Sequence, residues 1–302
     1  MDPDLVSALV DVGTFLKASG YNFIAVTPDT HRRVLARNAK PAQTLRDVFG
    51  WNRVFERGVL PAQMLNILVS AKLVQETDDG YRSCVRYASL GAQLFAHSCY
   101  PTVQADTVFF GPDTYRFCRA LMQASIPEGT LVDVGCGSGV GGITMAQQAQ
   151  RVILADINEQ ALLFARANVA LAGASNVEIV NSDVLSQVTQ PLSCVVCNPP
   201  YLRDDAGRTY RDGGGTFGEA LALRIVSESI AKLRSGGRLL LYTGATIVDG
   251  CDTFLHKVTA LLSGVHTHYE ELDPDIFGDE LDKGAYLDAD RIAAVMLTAT
   301  MP

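Results

Sequence analysis

Along the first hundred residues, apolar side chains recur at helical spacing. Leu5, Val6, Leu9, Val10, Val12, Phe15 and Leu16 mark one face, and the run closes at Gly20. The pattern predicts a second helix from near Pro41, with Leu45, Val48 and Phe49 on one side. A third is predicted from near Pro61, carrying Met64, Leu65, Ile67, Leu68 and Leu73. Then comes Gln75-Glu-Thr-Asp-Asp-Gly-Tyr-Arg82, turn-rich and flanked by short β-prone runs. From about residue 105 the texture changes. Apolar runs alternate with helical periodicity, as in βαβ units around a mainly parallel sheet. Strands are expected over 130–134, 151–155, 177–181, 192–197 and 238–243, and helices over 140–149, 158–172, 216–234 and 250–263. The runs 265–272 and 292–299 are expected to close the sheet as an antiparallel edge. Two units follow. Residues 1–104 form a mostly helical, winged-helix-like unit for substrate recognition or dimerisation. Residues 105–302 form an α/β unit with helices on both faces of a Rossmann-like, seven-stranded sheet.

Composition changes this picture little. The chain of 302 residues is 48% hydrophobic, which allows a full α/β core beside a smaller unit. No apolar stretch approaches the ~20 residues of a membrane span, and the start, Met1-Asp-Pro-Asp4, is acidic where a signal peptide is basic. A cytoplasmic location without membrane association is expected. Charge is more informative. The net charge is −8, and residues 111–302 alone carry −9, with 14 Lys and Arg against 23 Asp and Glu, a poor match for a polyanion. One basic stretch, Arg32, Arg33, Arg37, Lys40, Arg46, Arg53 and Arg57, reads first as a solvated helical face and second as a nucleic-acid patch. Cys194 and Cys197 form a C-x-x-C, but on a strand residues three apart face opposite sides, so no metal site is expected.

The chemistry sits in two runs. Leu131-Val-Asp-Val134 reads as a buried strand, and Gly135-Cys136-Gly137-Ser138-Gly139 as the turn into a helix. Glycines at 135, 137 and 139 let a ligand approach the main chain, but they do not match the dinucleotide spacing G-x-G-x-x-G. A cofactor without pyrophosphate, positively charged and carrying an amino-acid tail, suits a site that holds Asp133. S-adenosylmethionine (SAM) has these properties. Asp156 ends the next strand, where a carboxylate can accept from both ribose hydroxyls, and Ile157 can pack on adenine. Asp183, followed by Val184, ends the third and can accept from the adenine amino group.

Asn198-Pro199-Pro200-Tyr201 follows the fourth strand. The lone pair of an amide or exocyclic amine nitrogen is delocalised, which makes it a poor nucleophile. The Asn198 side-chain oxygen and a main-chain carbonyl of the proline pair can accept its two N–H bonds, favour a pyramidal nitrogen and aim its lone pair. The prolines stiffen the loop, and Tyr201 can stack on the planar group. No metal is needed, because a sulfonium is already an activated leaving group.

Residues 107–245 resemble class I SAM-dependent methyltransferases, in the small-domain branch that includes release-factor glutamine N-methyltransferases. The resemblance rests on Asp133–Gly139, on Asp156 with Ala161-Leu162 and Asn168, on Asp183, and on Asn198–Tyr201. It implies that Asp133, Gly135, Asp156 and Asp183 contact SAM. Phe109-Phe-Gly-Pro-Asp-Thr-Tyr115 is similar to the proline-containing loop which that family places near the substrate amide, so Thr114 is carried over as a substrate contact. Gly111 and Tyr115 differ from the family's usual basic and acidic residues. The glycines of 210–218 suggest a mobile cover.

The expected reaction is N-methylation of a planar nitrogen in a protein glutamine or a small metabolite. An RNA or DNA base is the alternative acceptor, and would have to be unpaired or flipped. A SAM-sensing, winged-helix DNA-binding regulator is the alternative of another class, and it has no use for Asn-Pro-Pro-Tyr. An O-methyltransferase would want a His or Lys base, and the five histidines show no such placement.

Overall fold

The computed structural model describes residues 3–37, 40–102, 104–204, 207–208 and 210–302; Met1 and Asp2 of the acidic start lie outside them. Pro3–Ala18 (α1) follows the apolar stripe, with Leu9, Val12 and Leu16 fully buried. Pro28–Arg37 (α2) is a helix that the apolar pattern did not predict, because its charged sequence offers few apolar residues beyond Val34, Leu35 and Ala36. The Thr27 hydroxyl accepts from Thr30 N–H (3.1 Å) and opens it, with Pro28 at the first position. The helix expected from Pro41 is a short one, Leu45–Phe49 (α3). Thr44 and Asp47 cap each other's main-chain N–H groups before it, and Gly50 follows it. Ala62–Ser70 (α4) agrees with expectation.

Two antiparallel hairpins follow: Val74–Thr77 (β1) with Gly80–Ser83 (β2), and Val85–Leu90 (β3) with Gln93–Ser98 (β4). Pro112–Gln123 (α5) leads to the large sheet. Its elements are Thr130–Val134 (β5), Val140–Met145 (α6), Arg151–Asp156 (β6), Glu159–Ala172 (α7), Val177–Asn181 (β7), Leu192–Cys197 (β8), Ala220–Lys232 (α8), Leu233–Val248 (β9), Cys251–Asp252 (β10), Thr253–Thr259 (α9), His266–Asp273 (β11) and Arg291–Thr300 (β12). The strand order is β11-β12-β9-β8-β5-β6-β7. β7, β6, β5, β8 and β9 run parallel, while β12 is antiparallel to both β9 and β11. The two-residue β10, which pairs with β9, makes eight strands where seven were expected.

The central strands are continuous apolar runs because both faces of the sheet are covered. Val132, Ile153, Val195 and Leu241 belong to the core on one face, and Leu131, Leu154, Val196 and Leu240 to the core on the other. Cys194 and Cys197 divide between those two cores, as strand geometry requires. A third core joins α1, α3, α4 and the second hairpin to Ala161, Phe164 and Ala167 of α7. The first hundred residues thus share a dry interior with the sheet unit. No helix among the described residues is long and apolar enough to cross a membrane.

Candidate active site

Strand order reverses between β5 and β8, which are neighbours in the sheet but not in sequence. Val134 lies opposite Cys197, so the two strand ends are level. Gly135 and Asn198 are the next residues, and their loops leave side by side, about 5 Å apart as neighbouring strands are. Ala155 opposite Val134, and Asn181 opposite Asp156, continue the same edge. The fold therefore brings the glycine run, Asp156–Ile157, Asp183–Val184 and Asn198–Tyr201 to one end of the sheet. Open α/β sheets bind ligands at such a switch point.

Gly135, Gly137 and Gly139 have φ values of 65°, 53° and 79°, a region that L side chains rarely adopt. Asp156 fastens this turn. Its Oδ2 accepts from Gly137 N–H (2.8 Å) and its Oδ1 from Asn158 N–H (2.9 Å). Each oxygen keeps lone-pair capacity for a further donor. Burial raises the Asp156 carboxyl above its ordinary range, and the main-chain N–H groups of Asn158, Gly137 and Ile157 oppose the rise. Ile157 beside it is 63% exposed, an apolar surface at a strand end. Val184 is buried at φ 51°, a left-handed conformation that strains a β-branched residue. Cys136 is buried, and burial pushes its thiol well up, so it lines the turn as a neutral group. A positive-φ cradle, a carboxylate with spare acceptor capacity and an exposed apolar side chain fit an adenosine-bearing cofactor.

Other expected contacts are placed differently. Asp133 points inward, where its Oδ2 accepts from Gly142 N–H (2.7 Å), and burial lifts its carboxyl to about 7. From there it braces the start of α6, and its carboxylate does not stand open to a ligand. Asp183 is held at the surface by both terminal nitrogens of Arg224 (2.8 and 2.9 Å). A bond from adenine would have to share that carboxylate. Thr114 is buried, and its Oγ1 accepts from Gly111 N–H (3.3 Å), so it caps α5 instead of facing an acceptor.

The Asn198 Oδ1 is buried and has no hydrogen-bond partner among the described residues. Buried carbonyl oxygens in folded proteins are seldom left so. Pro199 and Pro200 follow it. Tyr201 does not offer a free face. Its ring is 8% exposed, edge-on to Tyr242 (centroids 6.4 Å) and Phe277 (6.0 Å) and pressed against Gly244. The stacking expectation is corrected: the ring is enclosed and anchors the loop from below.

Sequence reasoning missed Asp113. This buried carboxylate, the second residue of α5, accepts from Tyr242 Oη (2.9 Å) and Arg116 Nη1 (3.1 Å), and the Tyr201 phenol faces it. An acid in the first turn of a helix is ordinary, and only burial marks this one out. The cover over 210–218 is also more bonded than its glycines suggested. Leu202 N–H donates to Arg211 O (3.1 Å), Gly213 N–H to Leu202 O (2.9 Å), and Tyr286 Oη to Phe217 O (3.0 Å). Arg211 pairs with the buried Glu280, and Arg208 with Asp204.

A parallel sheet reversed beside β5, a glycine turn fastened by an acid from the next strand, and an antiparallel closing strand together define a class I methyltransferase domain, whose cofactor is SAM. Residues 114–248 match the family model described as "Methyltransferase small domain". Curated relatives include the release factor glutamine methyltransferases of Lactococcus lactis (29% identical, covering 50% of this chain and 58% of that protein) and Cereibacter sphaeroides (31%, covering 47% and 56%). A ribosomal protein L11 methyltransferase of Thermoanaerobacter pseudethanolicus is 36% identical over 31% of this chain and 35% of its own length. The match thus spans little more than half of the release-factor enzymes. Among solved structures, WT Trm5b from Pyrococcus abyssi superposes with a TM-score of 0.51 at 15% identity, covering 75% of this chain and 62% of that one. This likeness is one of fold.

Proposed function

We propose that the chain methylates a planar amide or amine nitrogen, held by Asn198 and a main-chain carbonyl of Pro199–Pro200. The observation that carries this reading is the buried, unpartnered Asn198 Oδ1 at the switch point, level with the glycine turn. An orphan acceptor there is matched by one acceptor N–H, and a prolyl carbonyl takes the second. SAM, when bound, supplies an electrophilic methyl on a positively charged sulfur. Gly135–Gly139, Asp156 and Ile157 would hold it, with Asp183 and Val184 beside the adenine. Asn198 and the prolyl carbonyl orient the nitrogen. The stiff proline pair sets that orientation before an acceptor arrives, and in-line transfer depends on it. On accepting the methyl group the nitrogen would lose its proton to solvent, and the sulfur would leave as a neutral thioether.

A protein side-chain amide or a small metabolite is the acceptor class that the charge supports. The sheet unit is acidic, and three members of the basic stretch are tied up: Arg32 and Arg33 with Asp29, and Arg53 with Asp47. We assign the first 104 residues to acceptor recognition. Ala25 N–H donates to Tyr115 Oη (2.9 Å), and Tyr210 Oη donates to the Thr102 carbonyl (2.9 Å), so this unit abuts the loops on the acceptor side.

Asn198→Ala tests the reading. Transfer of tritiated methyl should fall by about 10²–10³-fold, as when a preorganised polar group is removed from a reacting centre. SAM affinity by calorimetry should stay within about threefold. Near-normal turnover would sink the proposal, and the class of lysate component that takes up label from the wild-type chain identifies the acceptor.

A further inference from the structure

We infer that Asp113 is a positioning residue for the acceptor loop and acts through Tyr201; this rests on the N-methyltransferase reading above. A helix-start acid needs no burial to serve its helix, yet Asp113 is 7% exposed. Its carboxylate gathers groups from separate parts of the chain: the Tyr201 phenol from the Asn-Pro-Pro-Tyr loop, the Tyr242 phenol from β9 and the Arg116 guanidinium from α5. Arg116 Nη2 reaches on to Asp273 Oδ2 (2.9 Å) at the end of β11. These are the titratable groups that face Asp113.

Tyr201 has no slack in which to drift. A Cβ at Gly244 would fall 2.4 Å from its Cδ2, and Phe277 closes a further side. The ring is thus fixed at its rim by packing, and its phenol faces Asp113, which Tyr242 and Arg116 hold in place. It belongs to the residue that directly follows Pro200, so fixing it fixes the direction of the proline carbonyls and of Asn198. An amide acceptor touches Asn198 and the carbonyl. Asp113 never meets it, and its effect on transfer passes through the loop.

This arrangement differs from plain core packing in its response to pH. Burial raises the Asp113 carboxyl, and the bonds from Tyr242, Arg116 and Tyr201 oppose the rise. Once protonated, the group carries an O–H of its own and offers fewer lone pairs, so it cannot accept from both phenols and Arg116 at full strength. Transfer at saturating SAM then falls on the acid side, whereas protonation of Asp133 or Asp156 acts on SAM affinity.

The test compares Asp113→Asn, Tyr201→Phe, the double variant and Asn198→Ala, using tritiated-methyl SAM and the lysate fraction that the wild-type chain labels. Asp113→Asn and Tyr201→Phe should each lower transfer by about 10–10²-fold, with SAM affinity within about threefold by calorimetry. The double variant should be no worse than the poorer single one, because both cut the same link. With SAM saturating at every pH, the acid limb of the wild-type profile should be missing in Asp113→Asn. Near-wild-type transfer in Asp113→Asn, additive losses, or a retained acid limb would overturn the inference. Should Asp113→Asn fail to fold, Tyr201→Phe carries the test, since it keeps the ring and loses only the phenol; unaltered transfer in it is an equally clear refutation. If Asn198→Ala turns over normally, or the wild-type chain labels no fraction, the N-methyltransferase reading falls, and this inference with it.

Discussion

Asp133 and Asp156 are acids on neighbouring strands, yet their surroundings give them different tasks. Asp156 keeps two N–H partners and spare lone pairs at the strand end. Asp133 lies inside with one N–H partner, and burial, aided by the nearby Asp156 charge, holds its carboxyl up to about 7. A raised carboxyl means that the folded chain binds more protons than the unfolded chain between the two values. That contribution to stability is full below the ordinary aspartate value and is lost as pH rises through about 7. Bound SAM, a cation, favours the ionised form. SAM should therefore bind more tightly at about pH 8 than at about pH 6, with proton release at the lower value, and Asp133→Asn should flatten that dependence in calorimetric titrations. A dependence unchanged in the variant would mean that the field of Asp133 does not reach the ligand. At this scale the sequence was legible where residue type and strand end coincide, as at Gly135–Gly139, Asp156 and Asn198. It was not legible where orientation decides. Nothing in the letters turns Asp133 inward, hands Asp183 to Arg224, or buries Asp113 beneath Tyr201.

Elements were readable in proportion to their apolar periodicity. β5 to β8 and α1 stand close to their expected bounds. α2 was missed although Thr27-Pro28-Asp29 is a helix-start signature, because capping chemistry and apolar spacing are separate signals. The segment 210–218 shows the same blindness. Its glycines read as freedom, whereas two of them answer a close approach. A Cβ at Gly213 would fall 1.9 Å from the Gly218 carbonyl oxygen and 2.5 Å from that of Pro200, and one at Gly218 would fall 2.3 Å from that of Tyr201. Gly213→Ala should push the proline pair out of line and lower transfer by about 10²-fold, with a smaller change in SAM affinity. Gly58→Ala is the control, since nothing lies within 4 Å of its Cβ position. Equal transfer in both variants would show that the close contact has no bearing on the loop.

At the scale of the molecule, the division at residue 104 read from sequence meets a shared core. Asn168, fully buried on α7, accepts from Ala96 N–H (2.7 Å) and donates to Ala96 O (3.0 Å) and Ser138 O (2.8 Å). One carboxamide thus ties the second hairpin, α7 and the cofactor turn together. Asn168→Ala leaves those main-chain groups unsatisfied and should cost about 2–5 kcal/mol in urea unfolding. A loss below about 0.5 kcal/mol, the level of an ordinary surface change, would mean that the two units are only loosely joined. The sequence alone shows an asparagine on a helical pattern, and its two partner residues, Ala96 and Ser138, come from segments that no local pattern connects.

β9 carries a consequence for the order in which the molecule assembles. The glycine turn and Asp156 stand on β5, α6 and β6, contiguous in the chain between Thr130 and Asp156. The wall behind Tyr201 stands on Tyr242 and Gly244, and these positions of β9 become sheet only when Met296 and Ala294 of β12 close on them from far along the chain. Short-range contacts form with little loop-closure entropy, and long-range pairing comes later. The two half-sites therefore mature at different moments. Under the proposed function, the grip on the methyl donor is expected to form first, and the acceptor loop to be aimed only when β12 has closed on β9.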